Sequence, residues 1–337
     1  MDWFEKITGF AETSYGETRN RLSVESGWLQ SRLTGRKFAV GRLEVVSLQA
    51  LRERVAFEKI PLGRLTVRNI SGDVRRMHQS PEFSGALFQV ASQFNLLEMV
   101  SPNVTPEHGV TRYHHDRTQG PACAIAAGAA TIYRNYFVPL QGGEGQTAER
   151  QVDCLEAVGA ALAEALAQSV ERLWTMKNGY ALCSAEGLRK ISARLDSLDP
   201  SATDKLRGLL RIGVHQDVEV TDSESDPPQL VSQAFCSALP VAYCGHPSSI
   251  WRPFAELVLD AAYEVTVLAG VLNARRGGSN VVLLTRLGGG AFGNDDAWID
   301  AAMRRALDKV RGVDLDVRLV SFGSPAPAML ETERLFS

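Results

Sequence analysis

Apolar positions in this chain recur with two different periods, and the switching between them outlines an alternating β/α protein. Residues 65–70 (LTVRNI) alternate with period two, as a strand with one buried face does. Residues 86–91 (ALFQVA) and 280–285 (NVVLLT) are short apolar runs, which suit strands buried on both faces of a parallel sheet. Further strands are predicted over 38–48, 180–183, 211–221, 234–243 and 313–322. Helical patterning predicts helices over 49–57, 121–130, 151–174, 185–195, 251–273 and 296–310. The β-then-α alternation at both ends of the chain implies a mostly parallel sheet covered on both faces. Residues 1–36, polar with scattered aromatics, read as an N-terminal extension. Residues 92–119 are polar and aperiodic, and a loop of that length inside a compact domain is usually functional or disordered.

Composition narrows the function classes. With 337 residues and 45% hydrophobic content, the chain can bury a core without disulfides or a structural metal. Lys and Arg total 36 against 39 acids, a net charge of -3, which argues against a general nucleic-acid coat. No run of about 18 apolar residues is present, so no membrane span is expected. The five cysteines form no CxxC pair, and the opening MDWFEK carries acids where a leader needs apolar residues. The expectation is a reduced, cytoplasmic protein without a Cys-based zinc site.

The most informative stretch is NVVLLTRLGGGAFGNDDAW, residues 280–298. A buried strand runs into Gly288, Gly289, Gly290, Ala291, Phe292, Gly293 and Asn294, and a helix opens at once with Asp295 or Asp296 placed to cap it. Glycines let backbone N–H groups approach an anion, and the helix N-terminus adds partial positive charge, so this is the architecture of a phosphate site. The spacing is neither a Walker A loop nor GxGxxG. Phe292, a large ring among glycines, either lies on a sugar or base or plugs into the core. Earlier, Asp73 and Val74 follow one strand, and Gln93 and Asn95 follow another. In a doubly wound sheet these would share the carboxyl edge with Phe292.

The ordered set of GDV at 72–74, FQVASQFN at 88–95 and GGGAFGN at 288–294 resembles the macrodomain family of ADP-ribose binders and hydrolases. The resemblance covers roughly residues 60–135 and 250–322. It implies a three-layer α/β/α sandwich with a mixed, mostly parallel sheet. In that family the acid at the Asp73 position accepts from the adenine amino group, the Asn95 position leads into a loop around pyrophosphate and ribose, and the 288–294 loop cradles the phosphates. Two features depart from the pattern. The glycine run of the first loop is replaced by YHHDRTQGPACAI at 113–125, and an insertion at about 140–245 separates the halves. Both resemble a divergent subgroup, known from bacterial effectors and relatives, that removes ADP-ribose from arginine.

Glycosidic cleavage needs an acid or base near the leaving group, and a guanidinium leaving group favours a carboxylate partner. In VHQDVEVT, residues 214–221, a regular strand would put His215, Asp217 and Glu219 on one face and the valines on the other. These are the catalytic candidates, together with Asp295 beside the glycine loop; the bland alternative is a solvated face of an edge strand. Asp116, Gln119 and Gly120 fit a ligand-shaping loop: a polar side chain for a ribose, then a glycine N–H for phosphate. His114, His115 and Asp116 lack a clear third metal ligand. The expected function is an ADP-ribosyl hydrolase, arginine its favoured linkage. It requires no metal or redox cofactor, and its partners are ADP-ribose and ADP-ribosylated protein rather than nucleic acid or membrane. The alternatives are a non-catalytic reader of ADP-ribose, a metal-dependent hydrolase using 114–116, and a glycan or nucleotide enzyme on a generic sheet.

Overall fold

The computed structural model describes residues 1–57, 63–223 and 225–336. Its centre is a seven-stranded sheet. In chain order the strands are β1 (Arg42–Ser47), β2 (Thr66–Ser71), β3 (Leu87–Ala91), β4 (Arg211–Glu219), β5 (Leu230–Cys236), β6 (Val281–Leu284) and β7 (Asp316–Ser321). They lie side by side as β1-β4-β5-β3-β6-β7-β2. β4 runs antiparallel to β1 and β5, and every other neighbouring pair is parallel. The apolar runs of β3 and β6 take the middle, where Leu87, Phe88, Val90, Val282 and Leu284 are fully buried. Helices pack in two groups, α1 (Leu48–Phe57), α5 (Ala185–Asp196), α6 (Pro200–Gly208), α7 (Ser248–Arg275) and α8 (Asp296–Lys309) in one, and α2 (Val74–Gln79), α3 (Gln119–Ala126) and α4 (Gly128–Tyr136) in the other. The result is the expected α/β sandwich with a mixed, mostly parallel sheet.

Glu264 of α7 is buried and ties three helices together. Arg52 of α1 binds Glu264 at 2.6 Å and Asp204 of α6 at 2.8 and 2.9 Å, while Arg305 of α8 reaches Glu264 at 2.6 Å. Burial pushes the Glu264 carboxyl up, but the two guanidinium groups outweigh it and hold it below the usual range.

Some expected elements change. The helix expected over 151–174 shrinks to Glu156–Ala165. Ala167 turns left-handed at φ 51°, and Trp174 opens a hairpin (Trp174–Lys177 with Tyr180–Cys183), its ring 5.5 Å from Phe254. Burying that indole on α7 overrides local helix preference. The strand expected over 234–243 starts earlier, at Leu230, and ends at Cys236, leaving a short turn at Val241–Tyr243. Residues 211–236, within the stretch expected as an insertion, supply β4 and β5 of the sheet.

The N-terminal residues form a helix (Trp3–Thr8) and a three-stranded antiparallel sheet (Leu22–Glu25, Trp28–Ser31, Lys37–Ala39). Trp3, Phe4, Ile7 and Leu29 share a second apolar core with Leu97, Val110 and Tyr113 of the 92–119 loop. Among the described residues, no helix is long and apolar enough to cross a membrane.

Candidate functional site

Because β5, β3 and β6 are parallel neighbours, the residues that follow them emerge on one edge. There the chain leaves a cleft of about 180 Å³. Its floor is Ala91 at the end of β3 and Ser92 and Gln93 after it, Ala238 after β5, and Thr285, Arg286 and Leu287 after β6. Glu98, Asp116, Gln119 and Gly120 line one side, Gly288, Gly290, Ala291 and Phe292 the other.

The glycine loop is held from beneath. Tyr263 of α7 donates its hydroxyl proton to the Thr285 carbonyl at 2.7 Å and accepts from the Leu287 N–H at 2.9 Å. Buried Asn294 donates to the Leu239 carbonyl at 2.8 Å. Gly288 has φ +77°, and a Cβ there would stand 2.5 Å from that of Ala238, so only glycine fits. Asp295 caps α8, accepting from the Ala297 N–H at 2.8 Å. Phe292 settles between the two readings of its ring: it lines the cleft while packing against Tyr180 at 5.3 Å and Tyr243 at 5.7 Å.

Side-chain amides build the opposite wall. Gln119 accepts from the Ala91 N–H at 2.9 Å and donates to the Gln89 carbonyl at 2.7 Å. Gln93 accepts from the Met99 N–H at 2.7 Å, and Asn95 accepts from Leu97 and donates to Gln151. Residues 93–99 thereby fold into a tight turn, with Leu96 at φ 64°. From behind, the carboxylate of Glu12 accepts from the Val110 and Thr111 N–H groups at 2.9 and 2.7 Å and from the Tyr136 hydroxyl at 2.7 Å.

The turn delivers Glu98 to the cleft. Its side chain is buried, yet neither carboxyl oxygen has a hydrogen-bond partner. The nearest opposite charge is Arg134 of α4, 3.7 Å away. Burial pushes the Glu98 carboxyl up to about 8, opposed chiefly by the charge of Arg134. A carboxyl group so placed is protonated near neutral pH and has a proton to give. Asp116 supplies a second carboxylate, one oxygen of which accepts from the Thr118 N–H at 2.8 Å.

Of the residues singled out in the sequence, Gln93, Asp116, Gln119, Gly120, Gly288, Gly290, Ala291 and Phe292 line this cleft. Gly289, Gly293, Asn294, Asn95 and Asp295 shape it without lining it. Asp73 is exposed farther along the edge, where it caps α2 by accepting from the Arg75 N–H, with Val74 buried beside it. β2 pairs there with β7, and Phe322, just past β7, is 86% exposed.

The grouping of His215, Asp217 and Glu219 is corrected. A bulge between His215 and Val218 breaks the alternation of β4, and Asp217 takes φ 56°. His215 therefore turns fully inward and is held well below its usual range by burial and by Arg134. Asp217 turns out to a bidentate pair with Arg276, at 2.7 and 2.9 Å. Glu219 accepts from the Ala39 N–H at 2.7 Å. None of the three lines the cleft. His114 and His115 are exposed with ring centres 3.7 Å apart and planes tilted by 43°, and among the described residues no group of His, Cys, Asp and Glu is arranged to hold a metal.

The sequence reading passed over Glu98, Tyr180, Tyr243 and Phe322. For Glu98 a signal was present: it is the lone charge in FNLLEMV, residues 94–100. An acid between Leu97 and Met99 is either a paired core group or a functional one.

No family profile and no curated protein matches the chain. Among solved structures it is similar to the poly(ADP-ribose) glycohydrolase of Deinococcus radiodurans in complex with ADP-ribose, at 12% identity over 87% of this chain and 92% of that one, TM-score 0.43. It is also similar to the poly(ADP-ribose) glycohydrolase of Thermomonospora curvata, at 14% identity over 96% of each chain, TM-score 0.43. The same enzyme bound to the inhibitor ADP-HPD gives 14% identity over 96% of this chain and 95% of that one, TM-score 0.41.

Proposed function

We propose that this chain is a hydrolase that binds ADP-ribose in the cleft and cleaves the glycosidic bond joining it to a modified group. The observation that carries the reading is Glu98, a buried acid among the cleft-lining residues with neither carboxyl oxygen hydrogen-bonded. Glu98 acts as the general acid that protonates the leaving group, and Asp116 is the second carboxylate of the pair such chemistry uses. The glycine loop before α8 offers backbone N–H groups and a helix N-terminus to the diphosphate. Farther along the edge, the exposed Phe322 ring and the Asp73 carboxylate offer a stacking face and an acceptor to the adenine. The five cysteines are unpaired, which fits a reducing compartment, the cytoplasm.

The arginine linkage is inferred from the likeness of the first loop and the insertion to an arginine-specific subgroup, and the carboxylates offered to a guanidinium, Asp217 and Glu219, stand away from the cleft, so linkage becomes the variable of the experiment. Purified protein is incubated with chains ADP-ribosylated on arginine, on serine and on glutamate, and free ADP-ribose is followed. Release from one linkage, lowered about 100-fold or more by Glu98→Gln while ADP-ribose still binds, is the expected result. Binding without release from any substrate makes the protein a reader, and absence of both removes the reading.

A further inference from the structure

Arg134 is the only guanidinium group of the described residues whose side chain is 0% exposed in an ion pair. It lies behind the cleft on α4, and its Nε donates to the Leu96 carbonyl at 3.1 Å, at the turn that carries Glu98. Nη2 donates to Thr131 Oγ1 at 3.1 Å, and Nη1 donates to His215 Nδ1 at 3.5 Å. The guanidinium carbon sits 3.8 Å from the centre of the Phe235 ring. Thr131 in turn donates to the Ala124 carbonyl at 2.6 Å, which fixes α4 to α3. The group cannot shed its proton at any ordinary pH. Among the described residues, Glu98 is the one carboxylate within ion-pair range of it, at 3.7 Å. A buried cation beside a single acid is a costly arrangement unless both groups are held in place. Here backbone, hydroxyl, imidazole and ring contacts hold the cation, and neither Glu98 oxygen has a hydrogen-bond partner.

We propose that Arg134 is a positioning residue for Glu98: it aims the carboxyl group into the cleft from behind and sets how readily that group parts with its proton. The inference rests on the reading of the cleft given above, because it assigns Arg134 a part in the reaction proposed there. The charged and titratable groups facing Glu98 are few. Arg134 lies behind it, Tyr113 accepts from its N–H at 3.1 Å, Cys123 of α3 is a buried neutral thiol nearby, and Asp116 and Arg286 stand in the same cleft. Of these, Arg134 is the one fixed opposite charge in direct contact. Removing it should raise the protonation midpoint of Glu98, by about 1 to 3 pH units for an opposite charge at this range. His215 loses its donor in the same step, yet it stays neutral because it is buried.

The test reads Glu98 directly. Side-chain carboxyl signals are followed by carbon-13 NMR against pH in the full chain, in Arg134→Met and in Arg134→Lys, with the Glu98 signal assigned by its loss in Glu98→Gln. The expected result is a midpoint that rises by at least about one unit with methionine and returns most of the way with lysine. In turnover assays the pH limb follows the same order, and kcat moves more than KM. If methionine leaves the Glu98 midpoint where it was, the proposal is overturned. Should Arg134→Met fail to fold, Arg134→Gln, which keeps a polar group against Leu96 and Thr131 but carries no charge, takes its place. A Glu98 midpoint equal to the parent's in that variant overturns the proposal. The NMR arm needs no substrate. A shifted midpoint in a protein that cleaves nothing would sink the hydrolase reading and leave the coupling of Arg134 to Glu98 standing.

Discussion

Gln119 completes the end of β3: its amide oxygen takes the Ala91 N–H at 2.9 Å, and its NH2 group meets the Gln89 carbonyl at 2.7 Å. β6 pairs with β3 only at Leu87 and Phe88, so the last strand residues lack a neighbour on that side. One side chain supplies what a neighbouring strand would have supplied. Gln119→Ala leaves a donor and an acceptor unpaired, which should cost about 1–3 kcal/mol for each group that water cannot reach. Gln119→Glu keeps the acceptor and loses the donor, and should fall between. Urea denaturation of the two variants ranks them; equal stability of all three proteins would refute this role.

Glu98 should make the protein less stable as pH rises. Its folded carboxyl titrates near 8 against an ordinary 4.5, so the folded chain holds a proton that the unfolded chain releases between those values. The associated stability is fully present below the lower value and is lost as pH rises through the higher one. Glu98→Gln should flatten that slope. Urea midpoints at about pH 5 and about pH 8.5 measure it, and parallel slopes for the two proteins would contradict the assignment.

His78 should act in the opposite window. It is buried and stacked on Phe88 with ring centres 3.7 Å apart, and burial brings it down from 6.5 to about 4. Its Nδ1 faces the Val74 carbonyl at 2.8 Å, while Nε2 meets the amide of Gln233 at 3.1 Å. The first nitrogen therefore donates and the second accepts, as a neutral ring requires. The unfolded chain takes up a proton below 6.5 that the folded chain refuses, so stability is lost as pH falls from 6.5 toward 4. His78→Gln should reduce that loss relative to the parent, whatever its effect at neutral pH. An identical acid slope in both proteins would exclude a buried neutral ring.

Asp217 and Glu219 should prove to be structural. Asp217→Asn removes a half-exposed ion pair with Arg276 and should cost about 1 kcal/mol or less. Glu219→Gln weakens the bond to the Ala39 N–H and should cost about 1–2 kcal/mol. Release of ADP-ribose, where it occurs, should stay within about twofold of the parent in both. A variant that still binds ADP-ribose but no longer releases it would return β4 to the reaction.

The long-range order of this fold was legible in local pattern because burial on two faces demands unbroken apolar runs. ALFQVA and NVVLLT could hardly be anything but inner strands, and both are. The glycine loop was legible for the same reason in reverse, since only small residues let β6 turn under the Asn294 amide. What local pattern could not carry was register. A single bulge after His215 sent three polar side chains in three directions, and nothing in VHQDVE announces it. The end of the helix over 156–165 was equally hidden, because it is set by the distant Phe254. Glu98 lay between these cases. Its apolar neighbours marked it as buried, but only the turn built by Gln93 and Asn95 says that it opens on the cleft.

The N-terminal helix and its small sheet press Trp3, Phe4, Ile7 and Leu29 into the back of the same loop whose front is the cleft wall. Glu12 adds two backbone bonds to that loop at Val110 and Thr111. A loop clamped on its rear face does not open on its own. Its amides should exchange with solvent at the rate of the N-terminal unit, as one cooperative block, rather than at the rate of free surface turns. A ligand would then meet a wall already formed, and the entropy of ordering it would have been settled when the chain folded.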